Sequence, residues 1–118
     1  MGENYKRREE QKELIRKFEE QLKNKASGFY DIETYEEIID YYLDHGNYKK
    51  ALRTCNIAME QYPFSTEIMI DKAQVLTNLE SFDDALEILS KAEHFQPNDY
   101  EILLLKGNIF SMQSKFDD

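Results

Sequence analysis

Few of the 118 residues have side chains suited to chemistry, and none of these is grouped as a catalytic or metal site requires. The histidines, His45 and His94, have no Cys or His three or four residues away, so a zinc-type site is not predicted. Carboxylate pairs such as Glu36-Glu37 are common on acidic helices and do not by themselves indicate general acid–base catalysis. The sequence also lacks a Gly-rich phosphate loop, a serine-hydrolase motif and a zinc-protease motif. We therefore expect a protein that is not an enzyme and has no cofactor or metal.

Cys55 is the single cysteine, so it cannot form an internal disulfide, which fits a reducing compartment. It lies between Ala51 and Ala58 on one face of a predicted helix, where a small buried side chain is the favoured interpretation. A reactive thiol requires exposure and a nearby positive charge, and Arg53 lies at a different helical angle.

The formal net charge of −9 argues against nucleic-acid binding through a basic face. The charge is uneven, since residues 1–26 hold eight basic and six acidic residues, whereas residues 27–118 hold seven and eighteen. This division indicates that one part docks on the other, or that each part recruits a different partner. No apolar run is long enough to span a bilayer, and the N-terminus lacks the apolar segment of a secretory signal. A cytoplasmic location, without membrane binding, is the default expectation.

From Asp31 onward the sequence repeats with a period of 34 residues and without gaps. The matched pairs include Ala51 and Ala85, Ala58 and Ala92, Pro63 and Pro97, and Tyr48 and Phe82. The pattern within each repeat predicts two antiparallel helices. Polar N-cap candidates precede the amphipathic stretches, and a proline follows each second helix. The paired alanines, seven residues apart on one helical face, would let neighbouring helices approach closely.

We predict an all-α fold, an α-solenoid of antiparallel helix pairs preceded by a charged N-terminal helix. The predicted parts are the charged helix 1–26, a linker 27–31, repeat 1 at 32–65, repeat 2 at 66–99, and a truncated repeat 3 at 100–118. First helices are expected at 32–45, 66–79 and 100–113, and second helices at 48–61 and 82–95, with residues 116–118 starting another second helix. The expected N-caps are Asp31, Asn47, Ser65, Ser81, which begins a sequence similar to a capping box, and Asn98 or Asp99.

This pattern of bulky, small, aromatic and proline positions resembles the tetratricopeptide repeat (TPR) family. In the first unit it comprises Tyr35, Ile39, Tyr42, Gly46, Tyr48, Ala51, Ala58 and Pro63. In the second it comprises Met69, Ala73, Leu76, Glu80, Phe82, Ala85, Ala92 and Pro97. Ile39 departs from the pattern, because the family prefers Gly or Ala there. The resemblance covers residues 32–99 as two repeats and the start of a third, and it implies a non-catalytic scaffold that binds other proteins.

The resemblance also implies where a partner would bind, since first helices of such repeats line a concave groove that takes a peptide or protein segment. The implied groove residues are Glu33, Glu36, Glu37, Asp40, Glu67, Ile70, Asp71, Gln74, Asn78, Glu101, Leu104, Leu105 and Asn108. All seven charged members are acidic, so we expect a basic partner. The same residues are also compatible with a merely solvated acidic face.

One class of partner is disfavoured. TPR domains that hold the C-terminal carboxylate of chaperones use Lys, Asn and Arg in this groove. The matching positions here carry Glu36, Asp40, Asp71, Glu101 and Leu105, and the four carboxylates would repel such a tail.

Two alternatives to the binding scaffold remain open from the sequence. The repeats could begin a longer structural array, or they could regulate an effector domain beyond residue 118. The apolar stripe of the N-terminal helix and the face of the last helix need cover, so we also expect a homo-oligomer as one outcome. The candidate self-association residues are Leu14, Ile15, Phe18, Leu22, Leu103 and Phe110.

Overall fold

The computed structural model describes residues 2–25 and 28–117 and contains, within them, six helices. They are α1 (Gly2–Lys23), α2 (Ile32–Asp44), α3 (Tyr48–Gln61), α4 (Thr66–Asn78), α5 (Phe82–Phe95) and α6 (Tyr100–Asp117). The chain forms two compact units, Met1–Asp31 and Ile32–Asp118. Three features of the sequence prediction, Ser27 in the linker, Asp118 and the side chain of Phe116, lie outside the described residues. The all-α prediction of helix pairs after a charged helix is confirmed.

The last helix differs from its expected bounds, because α6 continues to Asp117 without a break after residue 113. Gly46 and Glu80 provide the turns between the paired helices, with φ of +71° and +61°. Ser114 occupies the same position one repeat later, but it remains helical and its hydroxyl donates to the carbonyl oxygen of Phe110 at 3.1 Å. Left-handed backbone costs a residue other than glycine about 1–2 kcal/mol, so Glu80 is a strained position.

The helix caps follow the sequence prediction at most positions. The side chains of Asn47, Ser65 and Asp99 accept hydrogen bonds from the backbone N–H three residues later, at 3.2–3.3 Å. Ser81 occupies the N-cap position of α5 as predicted, but its side chain makes no capping hydrogen bond. Its ψ of 67° is close to the 73° of Asn47 and far from the 113° of Ser65. At that angle the longer Asn side chain reaches the N–H, whereas the short serine hydroxyl does not.

In the compact unit Ile32–Asp118, the buried residues recur at the 34-residue period of the sequence. Ala51, Ala58, Ala85 and Ala92 are all completely buried, which permits the close helix approach that their spacing predicted. On α4, Met69, Ala73 and Leu76 form the buried face that packs in one cluster with the alanines of α5 and with Leu89. Residues at the same register on α6 are instead exposed, with Leu103 at 50% and Phe110 at 56%. We call Leu103, Gly107 and Phe110 the open face of α6.

In the compact unit Met1–Asp31, Ile15 and Phe18 of the apolar stripe are buried, and Leu14 and Leu22 are half-buried. The ring of Phe18 meets Tyr30 edge-on, with 6.1 Å between the centroids. The solvent side carries ion pairs, in which Arg16 bridges Glu13 and Glu20 at 2.7 and 2.8 Å. Docking of this helix and self-association through either apolar face stay predictions.

Candidate peptide-binding groove

The five helices of the compact unit Ile32–Asp118 lie in two layers. The first helices α2, α4 and α6 contact each other in sequence, and each second helix packs on the first helices before and after it. The second helices are more widely separated, since a cavity of about 530 Å³ lies between α3 and α5, with Lys72 and Leu76 of α4 at its base. The first helices therefore form the more closely spaced, inner layer of this stack.

The inner layer brings together four carboxyl groups from three helices, which we call the carboxylate cluster: Glu36, Asp40, Asp71 and Glu101. Asp71 of α4 is at the centre, within hydrogen-bonding reach of Glu36 and within electrostatic range of Asp40 and Glu101. Burial raises the pKa of Asp71 far above its usual value, and the three neighbouring carboxyls raise it further. Burial also raises the pKa of Asp40, with Glu36 and Asp44 as further causes.

The unusual property of the carboxylate cluster is an unsatisfied acceptor. Asp71 Oδ2 is buried and makes no hydrogen bond, and the neighbouring Glu36 carboxyl is itself only an acceptor when ionised. A proton on Asp71 would resolve this, because the protonated carboxyl could donate to Glu36. The raised pKa thus favours the protonated form of Asp71 in the free protein, and a cation placed beside it would favour the ionised form.

A small pocket lies on the same helices, at the C-terminal ends of α2 and α4 and near the middle of α6. We call it the amide pocket; its volume is about 210 Å³ and it is lined by Leu43, Gln74, Thr77, Asn78, Leu105, Asn108 and Met112. Thr77 and Asn78 donate back to the carbonyl oxygens of Ala73 and Gln74, at 2.7 and 3.1 Å. The side-chain amides of Gln74 and Asn108 form no hydrogen bond within the described residues. The pocket thus presents apolar walls and two amides able to bind a peptide backbone.

Comparison with known proteins decides the family. A family model of the tetratricopeptide repeat matches residues 42–109, more than half of the chain. The chain belongs to the tetratricopeptide repeat family. A TPR repeat-containing protein, MJ1428 of Methanocaldococcus jannaschii, is 32% identical over 99 residues, which are 81% of this chain and 16% of that protein. The chain therefore spans about a sixth of the length of this relative. TPR repeats imply a scaffold for protein–protein interaction, and such repeats are generally non-catalytic.

The groove residues implied by the TPR resemblance fall into three groups. Eight of them belong to the carboxylate cluster or line the amide pocket: Glu36, Asp40, Asp71, Gln74, Asn78, Glu101, Leu105 and Asn108. Four others are exposed on the first helices but belong to neither: Glu33, Glu37, Glu67 and Leu104. Ile70 is a correction, because it is only 6% exposed and packs in the core cluster, so it cannot contact a partner.

Three pocket residues were missed by the sequence reasoning: Leu43, Thr77 and Met112. Each lies three or four residues after a predicted groove residue on the same helix, namely Asp40, Gln74 and Asn108. Extending each predicted face by one further helical turn would have found them.

Cys55 and His45, two residues of this TPR chain with potentially reactive side chains, lie in surroundings typical of structural residues. Cys55 is completely buried, as predicted, and burial together with the Asp71 carboxylate raises the pKa of its thiol to about 12, so the thiolate is suppressed. His45 is exposed and stacks on Tyr41 with 4.1 Å between the ring centroids. Within residues 2–25 and 28–117, no group of three Cys, His, Asp or Glu side chains is arranged to hold a metal ion. None of the helices in this described part is long and apolar enough to cross a membrane.

Proposed function

We propose that this TPR chain is a non-catalytic scaffold whose inner layer binds a basic peptide or protein segment. The observation that carries the proposal is that four acidic side chains meet in the carboxylate cluster with no basic side chain among them. Helix α2 contains no Lys or Arg at all. Lys72 of α4 lines the cavity on the other side of the stack, and Lys106 of α6 donates to Glu93 of α5 at 3.2 Å. The four carboxyls therefore gather where no basic side chain of these helix segments is directed to them.

The same charges disfavour an acidic partner. A C-terminal carboxylate placed at the cluster would meet like charges and find no Lys or Arg to bind it. Nucleic acid would be repelled in the same way, because its affinity depends on neutralising phosphates with basic side chains.

A second candidate function is a structural segment of a longer repeat array. The match to only 16% of the archaeal relative's length favours it, as does the open face of α6, whose counterparts on α2 and α4 are covered by second helices. Regulation of an attached effector domain is a third class of function. In a purely structural segment the inner layer would serve only solubility, and basic and acidic peptides would bind equally weakly.

A labelled Lys/Arg-rich peptide should bind, and its affinity should fall roughly tenfold between about 50 and 500 mM salt, because screening acts on charges near the surface. A peptide with Glu in place of the basic residues should not bind measurably. Fluorescence anisotropy titrations at several salt concentrations measure both.

Two double variants, one a test and the other its matched control, locate the binding site. Glu36→Gln with Glu101→Gln removes two charges from the cluster and should weaken binding. Glu60→Gln with Glu87→Gln removes two exposed charges from α3 and α5 and should leave binding nearly unchanged. Equal affinity of the acidic and basic peptides would contradict the proposed function.

A further inference from the structure

The carboxylate cluster and the amide pocket are built by the same three helices and lie side by side. Asp40 precedes Leu43 on α2, Asp71 precedes Gln74 on α4, and Glu101 precedes Leu105 on α6, by three or four residues in each case. One helical turn is about 5.4 Å long, so adjoining parts of the two sites are about one turn apart. Their far ends, Asp71 and Asn78, are about two turns apart along α4.

The amide pocket suits an uncharged, apolar side chain. Leu43, Leu105 and Met112 supply the apolar walls, and its volume is about 210 Å³. An apolar cavity of about 150 Å³ is enough to hold a benzene ring, so a branched aliphatic side chain fits here. No Lys, Arg, Asp or Glu lines the pocket, so it has no counter-charge for a second ionic side chain.

The spacing of the two sites limits how one segment could fill both. An extended chain rises about 3.3 Å per residue, and alternate side chains point to the same side. Side chains at positions i and i+2 are therefore about 7 Å apart on one face, within the range of one to two helical turns. Side chains at i and i+1 point to opposite faces and could not both enter.

We propose that the groove recognises an extended segment in which a Lys or Arg is separated by one residue from a branched apolar residue. The basic side chain enters the carboxylate cluster and the apolar side chain enters the amide pocket. The side-chain amides of Gln74 and Asn108 form no hydrogen bond within the described residues. They bind the peptide backbone between the basic and the apolar residue of the segment. This inference rests on the proposed function and narrows it from basic segments in general to one pattern.

Two isomeric peptides of equal charge and composition test the pattern in the full 118-residue chain. One carries Lys-Ser-Leu and the other Lys-Leu-Ser, each with the same flanking Gly and Ser residues, and reversed versions of both cover either chain direction. In at least one direction, calorimetric titration should show about tenfold tighter binding of the peptide with the i, i+2 spacing. Replacing its Leu by Ser should remove that advantage.

A pocket-filling variant tests the location. Asn108 is exposed and lines the amide pocket, so Asn108→Phe should abolish the difference between the isomers. Ser114→Phe introduces the same ring at an exposed α6 position outside the pocket lining and should preserve the difference. Equal affinity of the isomers in both directions, with basic peptides still preferred over acidic ones, would overturn this inference and leave the proposed function standing. Loss of the basic preference itself would overturn both.

Discussion

Replacing Met69 by Ala should lower the free energy of unfolding by about 2–5 kcal/mol, the usual cost of truncating a fully buried Leu, Ile or Met. Met69 has no exposed surface and packs in the core shared by α4, α5 and α6. Neighbouring Ala73 and Ala85 are already small and can fill little of the space that the truncation leaves. Urea denaturation followed by circular dichroism measures the loss.

The matched variant is Leu103→Ala, at the same register one repeat later. Leu103 is 50% exposed, so its truncation should change the free energy of unfolding by about 0.5 kcal/mol or less, as at ordinary surface positions. Equal losses at the two positions would mean that the open face of α6 is covered in solution. A concentration-dependent loss at Leu103 would point to another copy as the cover.

Replacing Asp71 by Asn should stabilise the fold and weaken the binding of basic peptides. The folded-state pKa of Asp71 is raised by burial and by Glu36, Asp40 and Glu101. Because the pKa of this carboxyl is higher in the folded than in the unfolded protein, its contribution to the free energy of unfolding is fully present below the unfolded pKa of about 3.9. That contribution is lost as the pH rises from there through the folded pKa. The variant lacks this loss, so near neutral pH it should be more stable by about 1–2 kcal/mol, the scale of one unsatisfied buried group.

The pH dependence separates this explanation from a simple packing effect. Below about pH 3 both folded and unfolded Asp71 are protonated, so the stability gain of Asp71→Asn should nearly vanish. Melting temperatures from pH 3 to 8 should therefore diverge between the two proteins as the pH rises. A gain independent of pH would contradict the account, as would tighter binding of the Lys/Arg-rich peptide by the variant. Glu87→Gln on α5, an exposed position, is the control for a general charge effect.

The fold was predictable because its signals are local and repeated. Paired alanines, prolines and N-cap residues recur at a fixed period, and the paired alanines are completely buried. The errors arose where a position depends on details of backbone geometry. Ser81 stands at the N-cap position but makes no side-chain capping bond, and α6 continues through the residue that matches Gly46.

The candidate site could be proposed from the sequence as a set of first-helix residues, but its geometry could not. The resemblance to TPR repeats placed the acidic residues on the layer of first helices, yet it also included Ile70, which packs in the core beside Met69. The central role of Asp71 arises only when carboxyls from three helices meet, and such a meeting has no signature in any single helix. The amide pocket likewise depends on residues 69 positions apart in sequence, from Leu43 to Met112.

The most direct test of basic-segment binding by the inner layer is an NMR titration of the ¹⁵N-labelled chain with the Lys/Arg-rich peptide. We expect the largest saturable shifts at the backbone amides around Glu36, Asp40, Asp71 and Glu101, with little change on α3 and α5. They should be absent when the acidic peptide is added. Shifts concentrated on the second helices, or equal shifts with both peptides, would contradict the assignment of the groove.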